Sequence, residues 1–208
     1  MYHCKIFVTI MASQNETINK NRQALLEAAR TLFWKHGIRR VSIQDICSEA
    51  GVSKMTFYRQ FANKNEIAAQ VLRDIFNKAM DDYHQIMQQH ITFAEKMQQV
   101  IMLKNESTIH ISDEFLKDIY QQNHTELHTM IQTYQHEISA EVRNDFAQAQ
   151  KDGFIRQDVT IDFIMYMMDR LTQMILDEKL LAICNDSQQA IMEVTRFFFY
   201  GILTQQPA

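Results

Sequence analysis

Apolar positions recur at helical spacing along most of this chain. Leu25, Ala28, Ala29, Leu32 and Phe33 follow the i, i+3, i+4, i+7, i+8 rhythm of one buried helix face. Lys35 and His36 suit the negative end of that helix, and Gly37 can take its left-handed stop. The helix is expected to begin between Asn15 and Asn19, behind a disordered extension over residues 1–16. Ser42, with Asp45 three residues later, predicts a capped second helix whose inner face is Ile43, Ile46, Cys47 and Ala50. Gly51, Val52 and Ser53 then supply a turn, an apolar plug and a new N-cap for a short third helix from about Lys54 to Phe61. Asn63 and Glu66 have cap spacing for a long fourth helix along Ile67, Val71, Ile75 and Ile86. Beyond it the pattern predicts helices near 91–105 and 112–123, and another from about Thr125 to Lys151 stopped by Gly153. The next is capped by Asp158 or Thr160 and runs to about Cys184, and Ser187 caps the last.

Composition supports an all-α fold of about nine helices. Four glycines and one proline in 208 residues are too few for the turns a sheet needs. The natural division is a head over residues 17–62 and a helical body over 63–208. Net charge is −4, yet between Lys20 and Lys78 eleven Lys/Arg face five Asp/Glu, leaving ten against twenty elsewhere. A basic head on an acidic body suggests that one end meets a polyanion, although a solvated basic helix face gives the same count. Cys4, Cys47 and Cys184 are odd in number and match no ligand spacing, which reads as reduced thiols in a cytoplasmic protein. The apolar run at 6–10 is too short for a signal sequence or a bilayer span, so no membrane partner is expected.

Residues 42–61 carry the chemistry. Two short helices meeting across a glycine turn can project the second into a major groove while the first supports it. The exposed side of the third helix would offer Lys54, Thr56, Tyr58 and Arg59. The ordered series Leu26-Glu27-Ala28-Ala29-Arg30-Thr31-Leu32-Phe33, Gly37, Ser42, Ile46, Ala50-Gly51-Val52-Ser53, Thr56-Phe57-Tyr58, Phe61 and Lys64 resembles the head of the tetracycline-repressor (TetR/AcrR) family over roughly residues 20–72. The resemblance implies a homodimeric, ligand-responsive transcriptional regulator, by family default a repressor. It would bind a palindromic double-stranded operator and be released by a small-molecule effector.

By position in that resemblance, Gln44, Lys54, Met55 and Thr56 face base edges, and Ser42, Tyr58 and Lys64 match backbone-binding positions. Gln can pair adenine and Lys can donate to guanine, while Thr or Met can touch a thymine methyl. Ser53 at a helix N-terminus and Arg59 complete the DNA-facing set. Tyr58 is expected to bury its ring and send its hydroxyl to a phosphate, and Phe61 to be core. Arg39 and Arg40 are either solvated loop charges or DNA contacts. Met55 departs from the family, which very often has glycine there, so a borrowed operator sequence does not transfer.

In the body, the helix of Ile161, Ile164, Met165, Met168, Leu171 and Ile175 and the last one, with Phe197-Phe198-Phe199-Tyr200, are apolar on more than one side. Two helices of this kind form the dimer interface in the family. The residues expected there are Ile161, Met168, Leu171, Ile175, Ile191, Val194, Phe198 and Ile202. No signature marks the effector site. His124 and His128 share a helix face with His136 two turns on, but two ligands are incomplete for zinc and His124-Thr125-Glu126-Leu127-His128 is not the protease pattern. No phosphate loop or nucleophile elbow is present, so neither catalysis nor a cofactor or metal is expected. A helical interaction protein that has lost DNA binding, or a metal-responsive sensor using the histidines, are the alternatives.

Overall fold

The computed structural model describes residues 2–120 and 126–204, with side chains from Asn19 onward except at 126. The described residues form ten helices: α1 (Tyr2–His36), α2 (Ile43–Glu49), α3 (Lys54–Gln60), α4 (Lys64–Met87), α5 (Phe93–Ser107), α6 (Asp113–Tyr120), α7 (Glu126–Lys151), α8 (Ile161–Met174), α9 (Glu178–Ile183) and α10 (Ser187–Ile202). Among them no helix is long and apolar enough to cross a membrane.

Two boundaries differ from the pattern read in the sequence. Helix α1 begins at Tyr2, not between Asn15 and Asn19, so residues 2–16 are helical where a disordered lead was expected. No glycine or proline interrupts the stretch before Gly37, whose φ of +80° ends the helix. The expected helix from Thr160 to about Cys184 is broken. Thr160 does cap α8, but the chain tightens after Met174 and the Asp177 carboxylate accepts from Lys179 N at 2.7 Å, starting α9. The short polar side chain competes with the helix for backbone donors. Asp186, not Ser187, caps α10; Ser187 is buried and its hydroxyl donates to the Asp113 carboxylate of α6.

Two apolar cores organise the molecule. Leu25 and Phe33 of α1 meet Ile46 of α2, Phe57 of α3 and Ile67 and Leu72 of α4 in the head core. The first half of α4 therefore packs with the head, and Phe115 of α6 and Ile131 of α7 close the same cluster from the body side. A second core gathers Met97, Phe146, Ile164, Leu171, Phe198 and Phe199 from α5, α7, α8 and α10. Helix α4 runs from the first core towards the second, as a connecting rod must.

Candidate nucleic-acid interface

Local capping builds the two short helices. The Ser42 hydroxyl accepts from Asp45 N at 3.2 Å while the Asp45 carboxylate accepts from Ser42 N at 2.8 Å, a reciprocal capping box that also holds the Asp45 pKa below the usual carboxylate value. Gly51, at φ +65°, closes α2: Val52 N reaches back to Cys47 O at 3.0 Å. Ser53 then caps α3, accepting from Thr56 N at 3.2 Å. Phe57, fully buried, anchors α3 from beneath, and Phe61 lies under the Arg22 guanidinium, 4.4 Å from its ring centre.

With its inner side fixed, α3 presents Lys54, Met55, Tyr58 and Arg59 to solvent. Gln44 and Ser53 are exposed beside them and Thr56 is half-buried. Lys54 makes no hydrogen bond or ion pair among the described residues, and Arg59 touches only Met55, its Nη2 3.7 Å from the sulfur. No acidic side chain pairs with Arg59 among the described residues. The α3 surface thus carries two uncommitted cations and hydrogen-bonding groups on a rigid helix. Such a surface can enter a groove and bond phosphates or base edges.

Four expected roles change. The Tyr58 ring is 57% exposed, resting edge-on against Phe57 rather than being buried. The ring of Phe57, next in sequence, takes the inward position instead. Lys64 is committed elsewhere: its ammonium donates to the carbonyls of Ile38 at 2.8 Å, Arg39 at 3.0 Å and Val41 at 2.8 Å. An ammonium has three donors, so none is left for a phosphate, and Lys64 fixes the α1–α2 loop. Burial pulls its pKa down, against the pull of Asp118. Arg39 and Arg40 remain largely exposed to solvent but are each tied to a carboxylate of α6. Asp118, buried on α6, accepts from Arg39 Nε at 2.6 Å and Arg39 N at 2.9 Å, and Arg40 pairs with Glu114 at 2.8 Å.

These contacts latch the head to the body. Trp34 Nε1 donates to Ile109 O at 2.9 Å, and Trp34 O accepts from Ser112 N at 3.1 Å and Ser112 Oγ at 2.8 Å. Gly37 packs tightly against α6: a Cβ there would lie 2.8 Å from Glu114 Cβ.

Of the eight residues expected at the dimer interface, five are buried in the chain's own interior and three are half-buried. Leu171, Ile175, Ile191, Phe198 and Ile202 are buried within the chain, and Ile161, Met168 and Val194 pack partly against the body core. The outward stripes are Phe163, Tyr166, Arg170 and Met174 on α8, and Glu193, Phe197 and Tyr200 on α10. Aliphatic positions drew the expectation, but here they fill the subunit's own interior. The aromatic and charged positions are the ones a neighbour could reach.

A cavity of about 460 Å³ lies between the two cores, which no motif marked. Arg30 and Trp34 of α1 and Ile75 of α4 contribute from the head side, and Met97, Phe146 and Phe199 from the body side. Lys104 also lines it, and the signal for this was present: Met97, Ile101, Lys104 and Thr108 form one inward stripe at spacings of 4, 3 and 4. His124 lies outside the described residues. Among those described, no group of three or more His, Cys, Asp or Glu side chains could hold a metal ion.

A capped, exposed third helix behind a glycine turn, on an all-α body with an internal cavity, defines a helix-turn-helix protein of the regulator type. Residues 25–71 match the family model for bacterial regulatory proteins of the tetR family. The HTH-type transcriptional repressor KstR2 of Mycobacterium tuberculosis is 25% identical over 152 residues, covering 71% of this chain and 75% of that one. A TetR-family regulator from Agrobacterium tumefaciens superposes with a TM-score of 0.73 at 13% identity, covering 90% and 100% of the two chains. The fatty acid degradation regulator FadR of Bacillus halodurans gives 0.67 at 17% identity, with 87% and 95% covered. Residues 25–71 are thus similar to the head of tetR-family bacterial regulatory proteins, and the chain as a whole shares the fold of such regulators.

Proposed function

We propose that this protein is a transcriptional repressor that binds a palindromic operator as a homodimer and releases it when an effector enters the cavity. The observation that carries this reading is the surface of α3, where Lys54 and Arg59 stand exposed, with no acidic partner among the described residues, on a helix held by buried Phe57. Lys54, Met55, Thr56 and Gln44 would meet base edges. Ser42, Ser53, Tyr58 and Arg59 would bond the backbone on either side. Lys64 contributes indirectly, by holding the loop that sets α2.

Two copies would join through the outward stripes of α8 and α10. Phe163, Tyr166, Phe197 and Tyr200 are each more than half exposed, and Arg170 lies over the Tyr166 ring at 5.4 Å. Aromatic anchors with a charged rim are the composition of a subunit interface. No catalytic step or cofactor belongs to this reading. KstR2 is a repressor by name, which favours repression over activation. An effector could act on the heads directly because Arg30 and Trp34 of α1 line the cavity. It could shift operator affinity only by its differential affinity for the two head positions.

Salt tests the DNA reading. Bound phosphates release counterions, so affinity for an operator duplex should fall steeply, by about 10³–10⁵-fold between roughly 50 and 200 mM salt for six to ten phosphate contacts. Fluorescence anisotropy would measure the slope. A flat response, or no binding at low salt, would favour a helical interaction protein without DNA binding.

A further inference from the structure

We propose that the cavity receives an amphiphile with a single anionic end, a long-chain carboxylate, whose head group pairs with Lys104 while its chain lies among Met97, Val142, Phe146, Phe198 and Phe199. This deepens the reading of the body as an effector domain and rests on it.

The inference comes from following the polar groups in the walls to their partners, Ser107 Oγ donating to Lys104 O at 3.2 Å among them. The hydroxyl of Thr108 donates to Lys104 O at 2.7 Å, that of Thr172 to Met168 O at 2.9 Å, and that of Thr195 to Ile191 O at 2.7 Å. Tyr83 donates to the Asp145 carboxylate at 2.8 Å, and Lys78 pairs with Asp82 at 2.5 Å. Of the three wall cations, Arg30 and Lys104 have no side-chain hydrogen bond or ion pair among the described residues, and Lys104 is the less exposed of the two. Its ammonium offers three donors and accepts nothing. Enclosure by apolar walls holds its pKa below the ordinary lysine value. A half-buried charge without a partner is costly, and the missing partner is an acceptor of opposite sign.

The geometry also orients the ligand. Helix α5 starts in the body core with Phe93 and Met97 and ends against α1, where Trp34 Nε1 bonds Ile109 O just past its last turn. Lys104 is in the α1-facing part of that helix and Met97 two turns deeper. An anion on Lys104 would therefore sit in the part of the cavity nearer α1, whose Trp34 and exposed Arg30 also line it, with the apolar chain running back to Phe146 and Phe199. A cation would meet uncompensated like charge there. A neutral lipid would fill the walls but leave Lys104 unpaired. A volume of about 460 Å³ lies in the range of small-molecule sites.

The test titrates the purified full-length protein with decanoate and palmitate and with the corresponding alcohols, comparing wild type with Lys104→Met by calorimetry and thermal shift. The wild type should bind each carboxylate about ten- to hundredfold more tightly than its alcohol, as charge-assisted hydrogen bonds allow. Lys104→Met should lose that preference, keep alcohol binding, and melt no lower than wild type without ligand. Equal wild-type affinity for acid and alcohol would overturn the proposal, as would a preference surviving in Lys104→Met. Palmitoyl-CoA separates a free acid from a thioester. If it binds more tightly than palmitate and is indifferent to Lys104→Met, the anion sits at the rim and the proposal fails. No DNA enters these measurements, so their failure leaves the operator reading intact, and a flat salt response leaves this one standing.

Discussion

Lys54→Glu is expected to weaken operator binding by about 2–6 kcal/mol, roughly 30-fold to 10⁴-fold, while leaving the folded protein as stable as before. Losing one side-chain contact to DNA costs about 1–3 kcal/mol, and a two-fold dimer loses it twice. Reversal adds repulsion from phosphates, which places the expectation towards the upper end. Stability should hold because Lys54 is exposed and its side chain makes no hydrogen bond or ion pair among the described residues. A glutamate at the first position of α3 also suits the positive end of the helix dipole. Anisotropy with a duplex at fixed salt, read beside a melting curve, separates the two quantities. Unchanged affinity would remove Lys54 from the interface.

Gly37→Ala is expected to destabilise the fold by about 2–5 kcal/mol, the largest effect of any small substitution in the head. A φ of +80° costs a residue with a Cβ about 1–2 kcal/mol. The added carbon would also stand 2.8 Å from Glu114 Cβ and 2.9 Å from Asp118 Oδ2, and forcing such overlaps costs about 1–3 kcal/mol more. Both neighbours belong to α6, so relief requires the head and body to part. Urea unfolding would read the loss. A companion change, Gly51→Ala, has a φ of +65° but nothing within 4 Å, so it should pay the backbone strain alone. Equal losses at the two positions would show that the α6 contact carries no weight.

The local grammar of the head was legible in the sequence. Ser42, Asp45, Gly51 and Ser53 act within four residues of themselves, and short-range chemistry leaves a short-range signature. The all-α class followed from the scarcity of turn residues, and the helix-turn-helix from spacing. What stayed hidden depends on partners far along the chain. Arg39 and Arg40 read as loop charges because Asp118 and Glu114 lie more than seventy positions away. Lys64 looked like a phosphate ligand because nothing local announces three carbonyls converging from the loop at 38–41.

The body shows the same limit on a larger scale. A helix apolar on two sides announces burial without saying which side belongs to its own core. Leu171 and Phe198 turned inward, leaving Tyr166 and Phe197 outside. The break between α8 and α9 rests on one carboxylate, Asp177, competing for backbone donors that the apolar pattern would have kept in the helix. The cavity is a property of how two cores fail to meet, which no single helix encodes. Lys104 was the one trace of it, a cation on an otherwise inward stripe.

These features converge on a latch. Trp34, Gly37, Arg39 and Arg40 tie the end of α1 and the following loop to α6, while the cavity opens between α1 and α5. An effector pressing on Trp34 would work directly against the contacts that set the head. Head spacing, and so operator fit, would change without any need for a long relay.

Selection of random duplexes by the purified protein tests the central claim most directly. Enriched sequences should converge on an inverted repeat whose half-sites lie about one helical turn, or a multiple of it, apart. A pool that stays random after repeated rounds at low salt, or that converges on a motif lacking two-fold symmetry, would contradict a paired helix-turn-helix reading DNA.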